Sequence, residues 1–372
     1  MDPVKILKRA WHILWSYRVL WVFGLILAIA GAGTHGNNGS NNGAQYETDS
    51  QSSHQPMPED MKEAFKDAGQ EMQKLLDEGL GEAGLTKEDV PTLIWIAGIF
   101  VLFSVLLGIA VAVARYVSET AVIRMVDEYE NTGTKLSIRE GFRIGWSRTS
   151  WRLFLIDLIV NLPVFLLMLI LLVVGVIVFF SVNSGSHEAA AISVISSIAI
   201  VFLFIFMAII LGVFLNLLRH FFWRVCALEN AGVRDSLRRG FQMARENWKN
   251  VGIMWLIMIG LGIAWMFVSI IAFIVTLPVV ALTSVAALIV AGIPALLTGG
   301  VTSLFLNGWM PWIIGGIFAL PLFFTVAFSP WLLLQGWQTV YASTVWTLVY
   351  RELKALPALT NGNASVQESS AS

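Results

Sequence analysis

The fold class this sequence predicts is an all-α, polytopic helical membrane protein, and three observations predict it. Of 372 residues, 56 % are hydrophobic and 13 % charged, about half the charged share of an average soluble domain. No Lys, Arg, Asp or Glu occurs from Val251 to Tyr350, and only lipid hides so long an uncharged stretch. The charges that remain are sorted, with 20 of the 24 basic residues next to apolar runs and 12 acidic residues between 34 and 91.

Each element follows from what a bilayer demands. A core of about 30 Å takes about 20 apolar residues of helix, because every backbone polar group must be paired internally. Residues 1–33 read as an N-terminal interfacial helix leading into a first span from Tyr17. The run Ala28-Ile29-Ala30-Gly31-Ala32 also has the form of a signal-peptide cleavage site, but Trp11, Trp15 and Trp21 around Arg18 fit an anchored helix better. Residues 34–91 follow as linker and acidic amphipathic helix, 92–152 as second span and first basic segment, and 153–250 as third and fourth spans and second basic segment. Residues 251–356 form an uncharged terminal hairpin with crossings at about 251–277 and 325–350. Pro278, Pro294, Pro311 and Pro321 break its middle into re-entrant or interfacial pieces. The polar, Ser-rich tail 357–372 is expected to be disordered. Six spans in three hairpins result, with eight as the alternative.

Charge sets the orientation. The positive-inside rule puts the basic segments and both termini in the cytoplasm, which makes 34–91, with a net charge of -8, extracytoplasmic. Within it, Met61, Phe65, Ala68, Met72, Leu75 and Leu76 make one narrow stripe. A stripe of that kind packs on the protein's own outer face, or serves a protein partner or self-association through 59–80.

Two basic segments align without a gap at an offset of 99, Glu130 to Phe142 with Glu229 to Phe241, and seven of thirteen positions are identical. An aromatic-basic pair follows each, Trp151-Arg152 and Trp248-Lys249, as Tyr17-Arg18 does near the N-terminus. The chain thus reads as an internal repeat of cytoplasmic amphipathic elbow helices turning into spans. Gly133 and Gly232 suit a positive φ at the break, and Glu130 to Arg139 and Glu229 to Arg238 are the expected bracing ion pairs. In the second elbow Val233, Leu237, Phe241, Ala244 and Trp248 form the apolar face, with Arg234, Arg238, Arg239 and Arg245 as candidate contacts for anionic lipid.

Inside the spans, Asp157 is the one charged residue, with Asn161 a turn away and Asn216 at a similar level of the next span. Five residues past Arg152, it lies only about 7.5 Å deep. That depth favours a structural hydrogen-bonded pair over an ion site, and an Asp157→Asn change is expected to be nearly neutral. No catalytic motif, nucleotide loop or cofactor fingerprint is present, and the five histidines are not spaced as metal ligands. The lone Cys226 reads as a small buried hydrophobe.

Trp15-Ser16-Tyr17-Arg18-Val19-Leu20-Trp21, the Glu-Asn-x-Gly blocks and Trp346-Thr347-Leu348-Val349-Tyr350-Arg351 resemble a loose group of uncharacterised prokaryotic multi-span proteins. That group is similar to the membrane domain of some glycerophosphoryl diester phosphodiesterases, whose soluble barrel has no counterpart here. The resemblance implies a six-span prokaryotic plasma-membrane protein without an assigned reaction. The expected role is a non-enzymatic scaffold, accessory or lipid-associated protein, and the alternative is a small-molecule or lipid transporter. The expected partner is the bilayer, anionic lipids included, with no nucleic acid and no cofactor.

Overall fold

The computed structural model describes residues 1–31, 90–184, 187–306 and 308–370, with side chains at 1–31, 91, 94–175, 200–306 and 308–356. The acidic stripe at 59–80 lies outside the described residues. Within them the chain forms ten helices and no strand. Helix α1 (Pro3–Ser16) is capped by Asp2, whose carboxylate accepts from the backbone N–H of Val4 (3.1 Å) and Lys5 (3.3 Å). Pro3 stands at its first position, where a missing N–H costs nothing. A bend of 99° leads into α2 (Val19–Gly31), and α3 (Val90–Thr132) follows. Next come α4 (Ile138–Gly145), α5 (Arg148–Ser184) and α6 (His187–Glu229), then α7 (Val233–Glu246), α8 (Trp248–Thr302), α9 (Met310–Ala327) and α10 (Ser329–Ser370). A short helix precedes a long one at α4–α5 and again at α7–α8.

Five of these helices are long and apolar enough to cross a membrane, six if the bent α1–α2 pair is one span. The protein is a multi-pass helical membrane protein. Three boundaries differ from those the sequence led us to expect. Helix α8 runs 55 residues unbroken through Pro278 and Pro294, so these two prolines do not break the helix as expected. Each proline removes one ladder bond, whereas unwinding in an apolar setting would strand many backbone groups at once. The last helix passing the length and apolarity test is α9, not 325–350, because Gln335, Gln338 and the hydroxyls of 339–347 dilute that stretch. Finally, α10 continues to Ser370 through the expected disordered tail, since extending a formed helix adds a bond per residue without a new nucleus.

Clustering of contacts divides the chain into two compact units. The described parts of the first are 1–31, 111–184, 187–273 and 332–370, and its core gathers Tyr17, Phe23, Ile123, Met125, Leu153, Ile156, Phe221, Val349 and Tyr350. The second comprises 90–110 and 274–331. There α8 and α9 meet through small residues: Ala287 and Ala291 are buried on one helix, Gly315 and Ala319 on the other, and the Thr283 hydroxyl donates to the Ala327 carbonyl at 2.7 Å. Small side chains let apolar helices approach closely where no hydrophobic force separates protein from lipid.

Candidate functional site

The described part of the chain places its polar residues in three settings. The first is a buried layer in the long arms. Asp157 is 7 % exposed; its carboxylate accepts from the Tyr116 hydroxyl at 2.7 Å and from Arg219 at 3.0 Å. Arg219 also donates to the Asn216 side chain (2.7 Å) and lies over the Trp223 ring, 5.0 Å from its centroid. Asn161 donates to the Asp157 backbone carbonyl and not to its carboxylate. Asn216 thus reaches Asp157 through Arg219, and Asn161 leaves the carboxylate alone. A second set joins α3, α6 and α10. Ser343 donates to Glu119 at 2.8 Å, and Arg224, 1 % exposed, donates to the Ser343 and His220 carbonyls at 2.9 and 2.7 Å. Sequence reasoning missed Tyr116, Glu119, Arg219 and Arg224 by treating them as flanking loop. No Gly or Pro interrupts 109–132 or 213–229, and that absence was the available signal that both helices continue. In these two sets each carboxylate has a donor and each guanidinium an acceptor, so the layer holds helices together.

The second setting is the pair of turns. Gly133 has φ 71°, and in the aligned segment the positive φ (53°) falls on Asn230, not on Gly232, which is the extended residue before α7. Asn tolerates the left-handed region better than other non-glycine residues, and here its side-chain oxygen also accepts from Arg124. Arg124 further donates to the Ala227 carbonyl (2.9 Å) and the Thr149 hydroxyl (2.8 Å), tying the second turn to α3 and to the start of α5. Arg351 does the like for the first turn, pairing with Asp127 and donating to Asn131 at 2.7 Å. The expected bracing pairs do not form. Glu130 binds Arg9 of α1 at 2.8 Å, while Glu229 binds Arg239 (3.1 Å), Lys354 (2.8 Å) and the Tyr350 hydroxyl (2.8 Å). Arg139 and Arg238 are exposed; on α7 the neighbouring Arg239 is the one rotated toward Glu229.

The third setting is the outer side of the short helices. On α7 the buried line is Ser236, Gly240 and Ala244, with Val233 and Leu237 packed against the core. A Cβ on Gly240 would come within 2.6 Å of the Phe222 ring, as one on Gly141 would of the Phe23 ring. The expected apolar face is therefore largely used up in protein contact, and only Phe241 (46 % exposed) and Trp248 remain outside. Beside them stand Arg234, Arg238 and Arg245, exposed and without an ion-pair partner among the described residues. Helix α4 likewise exposes Ile138 and the following Trp146 beside Arg139 and Arg143, and α1 exposes Val4, Trp11 and Trp15 beside Lys5 and Lys8. Trp15, Trp21 and Trp337 pack edge-on or tilted, 5.1 to 5.5 Å apart. On α4, Glu140 closes a capping box with Ser137, and hydrogen bonds from the Ser137 backbone and hydroxyl hold its carboxyl below the usual range.

No group of three or more His, Cys, Asp or Glu among the described residues is placed to hold a metal ion. The model of the family of unknown function DUF7544 matches residues 7–356. The chain belongs to that family. No curated protein and no solved structure matches it.

Proposed function

We propose that this chain is a non-enzymatic, lipid-associated integral protein of a prokaryotic plasma membrane, with its termini and elbow helices at the cytoplasmic surface. One observation carries the reading: each of the three short helices has an exposed aromatic or aliphatic side chain beside cations that have no ion-pair partner among the described residues. Aromatic rings prefer the headgroup level, and cations beside them gain from an anionic leaflet. The aligned glycines Gly141 and Gly240, both under a Phe ring, support treating the elbows as copies of one internal repeat. The pairing of both buried carboxylates, Asp157 with Tyr116 and Arg219 and Glu119 with Ser343, supports a scaffold or accessory role over transport, because a transport site keeps polar groups free for its cargo.

Reconstitution into vesicles tests this. With brominated lipids, tryptophan fluorescence should be quenched most at shallow bromine positions, and replacing Trp11, Trp15, Trp146 and Trp248 together with Leu should reduce that shallow component. Quenching only by deep bromines would overturn the interfacial reading. Lipid scrambling or solute leak above protein-free vesicles would favour the transporter instead.

A further inference from the structure

We infer that the outer flank of α7 binds the headgroup of an acidic phospholipid, an inference that rests on the lipid-associated reading and narrows it to one helix. At about 100° per residue, Phe241, Arg234, Arg245 and Arg238 share an arc of about 60°, and Asp235 and Glu246 stand about 60° to 80° further round the exposed surface. Arg234, Arg238 and Arg245 follow one another along this flank over about 16 Å of helix, and Arg239 alone of the α7 arginines has a carboxylate partner among the described residues. Glu246 accepts from the Gln242 side chain at 2.8 Å, and neither it nor Asp235 forms an ion pair with an α7 arginine among the described residues. Arg238, Phe241, Gln242, Arg245 and Glu246 line an open groove.

The occupant must satisfy two chemistries at adjacent points, multiple cationic donors and a half-exposed phenyl ring. A phosphodiester with a second anionic or hydroxylated group fits the guanidiniums, which bind phosphate through paired donors. An acyl chain beside it fits Phe241, and Trp248, 67 % exposed at the start of α8, continues the apolar boundary toward the next arm. Free inorganic phosphate would satisfy the cations and leave the rings unused. The buried line Ser236, Gly240 and Ala244, with Gly240 against Phe222 of α6, seats the α7 backbone and fixes which side chains face outward.

The full-length protein in neutral detergent, titrated with phosphatidylglycerol and separately with phosphatidylcholine, gives the test by native mass spectrometry. The variant R234Q/R238Q/R245Q should weaken phosphatidylglycerol binding at least about tenfold, against about twofold for K5Q/K8Q on α1. Phe241→Ala should weaken both lipids alike. All these positions are exposed, so each variant should elute as the wild type does. Equal losses in the α7 and α1 variants would overturn the α7 site while leaving lipid association intact. A wild-type protein that binds the two lipids equally would overturn the site by removing its selectivity for anions, and one that binds neither would overturn the site and the lipid-associated reading together. Displacement of phosphatidylglycerol by equimolar inorganic phosphate would overturn the lipid assignment.

Discussion

The two aligned turn segments, 130–142 and 229–241, share seven of thirteen residues and yet begin their short helices differently. Their common positions do common work: Gly141 and Gly240 each let a short helix approach a Phe ring with no room for a Cβ. The differing positions decide the caps. Glu140 in the first segment closes a capping box on Ser137, so α4 starts at Ile138. The second segment has Arg239 at that place, which reaches back to Glu229 instead; Ser236 is then inside the helix, and α7 starts at Val233, after Gly232. The helix start thus differs by about a turn, and with Arg239 in place of Glu140 no capping box can close on Ser236.

The contrast extends into the following arms, and there the largest effect is expected. Asp157 stands six residues after Trp151 and Met254 six after Trp248, and both are buried. Asp157→Asn should cost about 3 kcal/mol, since it leaves Arg219 buried without its counter-charge, whereas Met254→Leu should cost less than about 1.5 kcal/mol. Denaturant titration in mixed micelles measures both; a cost below 1 kcal/mol for Asp157→Asn would restore the neutral outcome that the sequence alone suggested. Next come the glycines. Gly240→Ala meets the Phe222 ring at 2.6 Å and its backbone nitrogen at 3.2 Å, while Gly141→Ala meets the movable ends of Phe23 and Met125. The expected costs are about 2 and about 1 kcal/mol, and equal costs would erase the distinction between rigid and yielding neighbours. Third, Glu229→Gln should cost more than Glu130→Gln, about 1.5 against less than 1 kcal/mol, because three donors converge on Glu229 and one half-exposed Arg9 on Glu130.

The smallest effect concerns pH and belongs to the first segment alone. Glu140's carboxyl is lower in the folded chain than its ordinary value of 4.5, so its contribution is present above that value and disappears as pH falls through the folded one. Hydrogen exchange corrected for intrinsic rates should show 137–142 losing protection on acidification while 236–241 does not. Glu140→Gln should abolish the difference; if it persists, the capping box is not its source.

By itself the sequence determined the class and the presence of short basic helices between long apolar ones. Each of these depends on composition over 10 to 20 residues, and a bilayer enforces it without reference to neighbours. The bend before α2 and the sharing of Glu130 and Glu229 positions were legible for the same local reason. The partners were not. Glu130 is held by Arg9, Glu229 by Lys354 and Asp157 by Arg219, across separations that only packing brings together. Packing also chose Asn230 over Gly232 for the positive φ, once Arg124 stood ready to bind its side chain. It withdrew Val233 and Leu237 from the lipid-facing stripe by seating α7 on its small residues. It kept α8 whole through two prolines, because the cost of breaking a helix depends on what surrounds it and not on the residue that strains it.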